Sequence, residues 1–144
     1  MRREKILVSA CLLGEKVRYD GKDNYVEALE RLKVDYDLIP LCPEVRGGLS
    51  VPRDPAEIIR GRILTNKGKD VTAQFLLGAE DVLDFCLKNN IHKAIMKARS
   101  PSCGKGRIYD GSFSNRLVGG NGVTVELLQR NHIKVYSEEE LGGI

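Results

Sequence analysis

Residues 5–11 read Lys-Ile-Leu-Val-Ser-Ala-Cys, a run of apolar and small residues that ends in a thiol. Such a run is typical of a strand that is buried on both faces of a sheet. Two further cysteines are placed in the same way: Cys42 follows a second strand-like run, and Cys103 lies a few residues after a third. In open parallel sheets, binding sites form at the carboxyl ends of the strands. We therefore expect Cys11, Cys42 and Cys103 to meet around one pocket.

The rest of the chain alternates strand-like and helix-like segments. Strands are predicted at 6–10, 38–41, 93–98 and 133–136, and helices at 24–33, 70–89 and 123–130, with a short hairpin around Arg60-Gly61-Arg62. The alternation predicts an α/β fold with right-handed crossovers. We expect one three-layer, Rossmann-like domain over residues 1–144, with a mostly parallel sheet of about four strands.

The predicted helix at 70–89 has the clearest pattern, with Asp70 as its cap. One face should carry the apolar stripe Phe75, Ala79, Val82, Leu83, Cys86 and Leu87. The fourth cysteine of the chain, Cys86, is therefore interpreted as a small packing residue rather than a ligand. Ser137 to Glu140 fits a capping box for a final short helix. The glycines at 119–122 precede a helix and are a weak signal for phosphate binding.

Composition bounds the function. A 144-residue chain with a net charge of +3 and no Trp is of ordinary globular type. Its mild basic excess allows RNA as a partner, but no motif indicates one. The apolar part of the N-terminus is too short for a signal peptide or a membrane span. We expect a cytoplasmic protein without membrane contact, in which clustered thiols point to metal binding or catalysis. The sequence does not define the oligomeric state.

Three thiolates can hold zinc or an iron-sulfur cluster. His92 and His132 precede strands, which places them at the opposite edge of the sheet and disfavours a Cys3His zinc site. Three cysteines with an open coordination position are typical of a catalytic metal. A nucleophilic thiol and ordinary reduced cysteines are the alternatives that the spacing leaves open.

Groups suited to acid-base chemistry lie near these cysteines. Glu44 is two residues after Cys42, where a carboxylate beside a metal could activate water or shuttle a proton. In isolation it would be a solvated loop residue. Ser100 and Ser102 flank Pro101, as hydrogen-bond donors or only as turn residues. Cations in the same predicted loops could balance an anionic cluster or simply face solvent: Arg18, Arg53, Arg99, Lys105 and Arg107.

Four blocks of the sequence resemble a bacterial family whose characterised members are thiouracil desulfurases. They are Ser9-Ala-Cys-Leu-Leu-Gly14, Arg18-Tyr-Asp-Gly21, Cys42 to Arg53 with its Cys-Pro-Glu and Gly-Gly-Leu groups, and Ser100-Pro-Ser-Cys-Gly104. The resemblance implies a 4Fe-4S cluster with three Cys ligands, Cys11, Cys42 and Cys103, and one open iron that binds the sulfur of a small thiolated heterocycle such as 2-thiouracil. It also implies that Glu44 is the acid-base residue and that Ser100 or Ser102 assists.

Two other functions remain compatible with the thiols. One is a non-catalytic metal or cluster-binding module that acts as a sulfur carrier or sensor. The other is a hydrolase with zinc in the same three-cysteine site. A carrier has no need of Glu44, and a zinc protein would be colourless where an iron-sulfur protein is brown.

Overall fold

The computed structural model describes residues 3–144, so Met1 and Arg2 of the predicted domain and N-terminal stretch lie outside the described residues. The strands are β1 (Glu4–Ser9), β2 (Tyr36–Leu41), β3 (Ala56–Ile59), β4 (Arg62–Thr65), β5 (Lys93–Met96), β6 (Arg107–Tyr109), β7 (Leu117–Gly119) and β8 (Lys134–Ser137). The α-helices are α1 (Leu29–Leu32), α2 (Pro43–Arg46), α3 (Thr72–Lys88) and α4 (Val123–Arg130), and short 3-10 segments lie at Ala10–Leu13 and Leu141–Gly143. None of the helices in this range is long and apolar enough to cross a membrane.

Four strands form one all-parallel sheet in the order β2-β1-β5-β8. β1 lies inside this sheet, and its residues Ile6, Leu7 and Val8 are at most 1% exposed. This two-sided burial is what the apolar run of β1 predicts. The predicted α/β class and the parallel sheet of four strands are confirmed.

Both faces of the sheet are covered. Side chains alternate along β1, so that Leu7 joins a core cluster with residues of α3 and α4. Ile6 and Val8 face the other way and pack with Leu12 and Leu29 in a second cluster. The predicted three-layer arrangement is therefore confirmed, and it leaves the carboxyl edge of the sheet open.

The long helix α3 has the predicted apolar face with one correction. Asp70 accepts the backbone N–H of Thr72 at 2.9 Å, which satisfies a free amide at the start of the helix. Phe75 and Cys86 are buried, but Leu87 is 58% exposed, contrary to the prediction. At about 100° per residue, Cys86 lies about 20° around the helix from Phe75, whereas Leu87 lies about 120° away. Leu87 therefore leaves the stripe.

The predicted helix at 24–33 is wrong except for its last turn, α1. Asn24 donates its backbone N–H to the carbonyl of Cys11 at 2.9 Å, and Val26 donates to that of Leu12 at 3.0 Å. These bonds tie residues 24–26 to the 3-10 segment after β1 instead of to a helical turn. Leu29 is fully buried. An apolar residue of the predicted helix therefore does pack into the core, but from the shorter helix α1.

Two antiparallel hairpins stand beside the sheet. The predicted one is confirmed as β3 and β4, joined by Arg60 and Gly61, both with positive φ. The other, β6 and β7, was not predicted, because its strands have three residues each and β7 is exposed throughout. At the C-terminus, Glu140 accepts the backbone N–H of Ser137 as in a capping box, but only a 3-10 turn follows.

Candidate functional site

Two of the cysteines follow adjacent paired strands. Ser9 of β1 is opposite Leu41 of β2, and these are the last residues of the two strands. Cys11 comes two residues after Ser9, and Cys42 comes directly after Leu41. The parallel pairing therefore places both thiols at the same edge of the sheet, as predicted.

Cys103 reaches this edge through the loop after β5. Ser100 shapes that loop: its Oγ accepts the backbone N–H groups of Ser102 at 3.0 Å and Cys103 at 2.7 Å. Its carbonyl accepts the N–H of Gly104 at 2.9 Å. A compact turn thus carries Cys103 back toward the strand ends, beside Ser9 of β1.

One cavity of about 480 Å³ collects the three thiols. Cys11, Cys42 and Cys103 all line it, together with Glu44 and Ser100. The walls come from the loops after β1, β2 and β5 and from both hairpins, with further lining residues Arg18, Tyr19, Asn24, Arg53, Glu57, Lys97, Tyr109, Phe113 and Asn115 among them. All three candidate ligands thus line one pocket, as their positions after the strands predict.

Burial raises the pKa of all three thiols above the ordinary value. The effect is greatest at Cys103, although the hydroxyl of Ser9 opposes it. At Cys11 a hydrogen bond from Asn24 opposes it, with an Nδ2 to Sγ distance of 3.4 Å. Reactive thiols have lowered pKa values. These cysteines therefore do not resemble nucleophiles, and a bound metal would be needed to hold them as thiolates.

The donor set consists of three thiols, which are ligands for zinc and for iron-sulfur clusters. Among residues 3–144, no three His, Cys, Asp or Glu side chains are arranged to hold one metal ion. Two thiolates on one tetrahedral ion lie within about 4 Å of each other, since each metal–sulfur bond is about 2.3 Å. In a 4Fe-4S cluster each cysteine binds a different iron, so the ligands are spread further apart. His92 and His132 precede β5 and β8, at the opposite edge, as predicted.

Cys86 is separate from this cavity. It is fully buried on α3 and belongs to the core cluster between α3, α4 and the sheet. Burial alone raises the pKa of its thiol to about 11. The structure therefore places Cys86 as the sequence predicted, as a packing residue.

Glu44 lies in the first turn of α2, and its side chain is 18% exposed. Its Oε1 accepts a hydrogen bond from Nε of Arg53 at 3.2 Å. Burial raises the pKa of Glu44 in spite of this cation. The pairing of Glu44 with Arg53 was not predicted, because the two residues are nine positions apart and most of the chain between them is irregular.

The backbone of α2 rests directly on α3. A Cβ added at Gly78 would lie 1.9 Å from the carbonyl oxygen of Pro43, and one added at Gly47 would lie 1.9 Å from that of Gln74. Only glycine permits this close approach. The contact fixes the position of α2, which carries Glu44.

The two candidate serines differ in their surroundings. Ser100 lines the cavity. Ser102 is fully buried, and its hydroxyl lies 2.7 Å from that of Thr124 in the first turn of α4. The structure thus brings Ser100, but not Ser102, to the cavity wall.

The cations predicted near the site divide into two groups. Arg18 and Arg53 line the cavity, together with Lys97, which was not among the predicted cations. Arg99 and Lys105 instead pair with Glu139 and Glu140 at 3.6 and 2.9 Å. Arg107, in β6, is exposed. These three are not among the residues that line the cavity.

The glycine stretch before α4 does not form a phosphate site. Val123 and Thr124 donate their backbone N–H groups to the carbonyls of Pro101 and Ser102 at 2.9 and 3.0 Å. A Cβ added at Gly122 would lie 2.4 Å from the carbonyl carbon of Ser102. The amides at the start of α4 therefore bind the loop of Cys103.

Comparisons with known proteins agree with this geometry. The sequence model of a family described as 2-thiouracil desulfurase matches residues 6–140. YbbK of Bacillus subtilis (strain 168), described as an uncharacterized protein, is 41% identical over 149 aligned positions that cover 96% of this chain and 99% of YbbK. A solved structure described as the 4Fe-4S-dependent thiouracil desulfidase TudS superposes with a TM-score of 0.92 at 47% identity, covering 98% of this chain and 95% of that one.

Proposed function

The chain belongs to the 2-thiouracil desulfurase family and is an enzyme of that activity, and we propose that Cys11, Cys42 and Cys103 hold the 4Fe-4S cluster that it uses. The observation that carries this proposal is the convergence of these three buried thiols and Glu44 on one cavity. TudS, which is described as 4Fe-4S-dependent, has nearly the same fold. A sulfur carrier would not require the carboxylate of Glu44.

The reaction replaces the sulfur of the heterocycle by the oxygen of water. 2-Thiouracil and water give uracil and hydrogen sulfide, so no electron is gained or lost overall. When bound, the cluster would supply one iron that is not held by cysteine and is open to the sulfur of the substrate. Asn24 donates a hydrogen bond to Sγ of Cys11, and such bonds to ligand sulfurs tune a cluster. The hydroxyl of Ser9 lies beside the thiol of Cys103.

Glu44 is proposed to move the protons. Its raised pKa means that the carboxyl can hold a proton that an exposed glutamate would release. Oε1 accepts from Arg53, so Oε2 is the atom that carries the proton. As a carboxylate, Glu44 accepts one proton from the attacking water at Oε2, and as the resulting carboxylic acid it returns that proton to the departing sulfur, which is general acid-base catalysis.

Ser100 is proposed to assist rather than Ser102. Its Oγ already accepts two backbone N–H groups, which occupy both of its lone pairs. The hydroxyl hydrogen must therefore point away from them, and Ser100 lines the cavity. The hydroxyl of Ser100 can donate a hydrogen bond to the oxygen that replaces sulfur on the ring carbon.

The substrate is proposed to be a small heterocycle. The cavity of about 480 Å³ is within the usual range for small-molecule pockets. A thiolated base within RNA is a separate substrate that the assay below can include. We propose the cytoplasm as the location, since cluster ligation needs reduced cysteines.

The decisive experiment is anaerobic reconstitution with iron and sulfide, followed by an assay for uracil and sulfide from 2-thiouracil. We expect about four irons and four sulfides per chain and stoichiometric release of the two products. A loaded protein that takes up sulfur but releases no uracil would support a carrier instead. A colourless, zinc-loaded protein with activity would overturn the cluster.

A further inference from the structure

A second buried carboxylate, Glu57, lies in the wall of the same cavity. It belongs to β3 and is 8% exposed. Its Oε1 accepts the backbone N–H groups of Gly111 at 2.9 Å and Phe113 at 3.1 Å. Both donors belong to residues 110–116, the loop that joins β6 to β7. One carboxylate oxygen thus fixes this loop across the top of the site.

The loop held in this way contributes its own side chains to the cavity. Phe113 and Asn115 line it, and so does Tyr109 at the end of β6. Phe113 has a φ of 55°, a left-handed conformation that is uncommon for a residue with a bulky side chain. The hydrogen bond from its backbone N–H to Glu57 helps to hold this conformation.

The second carboxylate oxygen of Glu57, Oε2, accepts neither of these two hydrogen bonds. The hydrogen bonds of its side chain in the described chain all end at Oε1. Yet every buried side-chain nitrogen and oxygen of residues 3–144 has a hydrogen-bond partner. Oε2 is therefore not completely buried, and Glu57 is one of the residues that line the cavity.

A carboxylate oxygen accepts hydrogen bonds and does not donate them. Thiolated pyrimidines carry ring N–H groups next to the carbon–sulfur bond. Glu44 is engaged by Arg53, whereas Oε2 of Glu57 has no hydrogen-bond partner among residues 3–144. We propose that Glu57 is a specificity-determining residue, whose Oε2 accepts a ring N–H of the substrate while Oε1 positions the loop that carries Phe113. This inference rests on the proposed desulfurase function.

The test combines one substitution with blocked substrates. Glu57→Gln keeps the size of the side chain but leaves only one acceptor oxygen. That oxygen cannot both accept the loop N–H groups and accept the N–H of the substrate. The substrates are 2-thiouracil, 1-methyl-2-thiouracil and 3-methyl-2-thiouracil, measured as kcat/KM with cluster-loaded protein. An analogue that is not turned over is measured by its inhibition constant against 2-thiouracil.

We expect Glu57→Gln to lower kcat/KM for 2-thiouracil at least about tenfold, the usual range for a hydrogen bond to a charged group. The value for the analogue methylated at the contacted nitrogen should change less than about threefold, because that hydrogen bond is already absent. An equal loss for all three compounds would reduce Glu57 to a structural residue and overturn the inference. So would an unchanged value for 2-thiouracil.

Gly111→Ala is the matched control for loop position. Its Cβ would lie 2.6 Å from Cγ1 of Ile59, and φ is 95°, so the loop must shift while the carboxylate stays. We expect this variant to lower kcat/KM for the three compounds by one common factor. Should Glu57→Gln fail to fold by thermal unfolding, Glu57→Asp replaces it and should show the same selective loss. If the loaded parent releases no uracil, the desulfurase function itself fails, which is a different result from an equal loss in Glu57→Gln.

Discussion

Nε of Arg53 lies 3.2 Å from Oε1 of Glu44, and the two side chains are only 9% and 18% exposed. Arg53 also donates to the carbonyls of Ser50 at 3.1 Å and Val17 at 3.0 Å. The guanidinium is therefore held by the backbone as well as by its partner. Since burial raises the pKa of Glu44 even beside this cation, the pair forms a fixed proton-holding group on the cavity wall.

Glu44→Gln should separate chemistry from cluster assembly. The amide keeps the size of the side chain but cannot take up or release a proton. We expect normal iron and sulfide content and release of uracil slowed at least about a hundredfold, the lower end of general acid-base contributions. Glu80→Gln, at an exposed position of α3, is the control and should match the parent. Parent-like turnover in loaded Glu44→Gln would remove Glu44 from the mechanism.

Replacement of each cysteine by alanine should show that three of the four are needed for cluster binding and one is not. Cys11→Ala, Cys42→Ala and Cys103→Ala should each lose stable cluster binding, measured by iron and sulfide analysis after anaerobic reconstitution. Cys86→Ala should retain the cluster and lose only about 1 kcal/mol of unfolding free energy. Loss of iron in Cys86→Ala with retention in the other three would contradict the assignment.

Ser100→Ala and Ser102→Ala should fail in different ways. Ser100→Ala removes a hydroxyl donor from the cavity, and we expect turnover per cluster to fall at least about tenfold. Ser102→Ala leaves the buried hydroxyl of Thr124 without its partner, which should cost about 1–3 kcal/mol of stability but leave turnover per cluster close to that of the parent. Denaturant unfolding and the uracil assay check both. The opposite pattern would assign catalysis to Ser102.

Gly122→Ala should disrupt the loop of Cys103. The new Cβ would meet the backbone of Ser102 at 2.4 Å, so that α4 and the loop must separate. We expect a loss of about 1–3 kcal/mol, the range for overpacking, together with a lower cluster content. Gly119→Ala is the control, because a Cβ there has no heavy atom within 4 Å. Equal effects of the two substitutions would contradict this packing.

The sequence could predict whatever depends on burial periodicity and strand order. The sheet, the long helix and the meeting of Cys11, Cys42 and Cys103 follow from apolar runs and from the geometry of parallel strands. The family resemblance supplied the cluster and the activity, which spacing alone had left open among several alternatives.

What the sequence could not predict depends on long-range hydrogen bonds. Asn24 was interpreted as the start of a helix, yet its backbone N–H bonds to the carbonyl of Cys11 and its side chain to the thiol. Glu57 was hidden for a similar reason, since its partners are more than fifty residues away in a hairpin with three-residue strands. Local propensity carries no information about such contacts.

The contact of Gly78 with the carbonyl of Pro43 restricts how this enzyme can be made more heat-resistant. Replacement of helix glycines by alanine is a common route to higher stability, because alanine favours the helix by about 1 kcal/mol. At Gly78 the same change would press a methyl group into the segment that carries both Cys42 and Glu44. A thermostabilisation campaign on α3 would therefore need to leave this glycine in place and look to exposed positions such as Leu87.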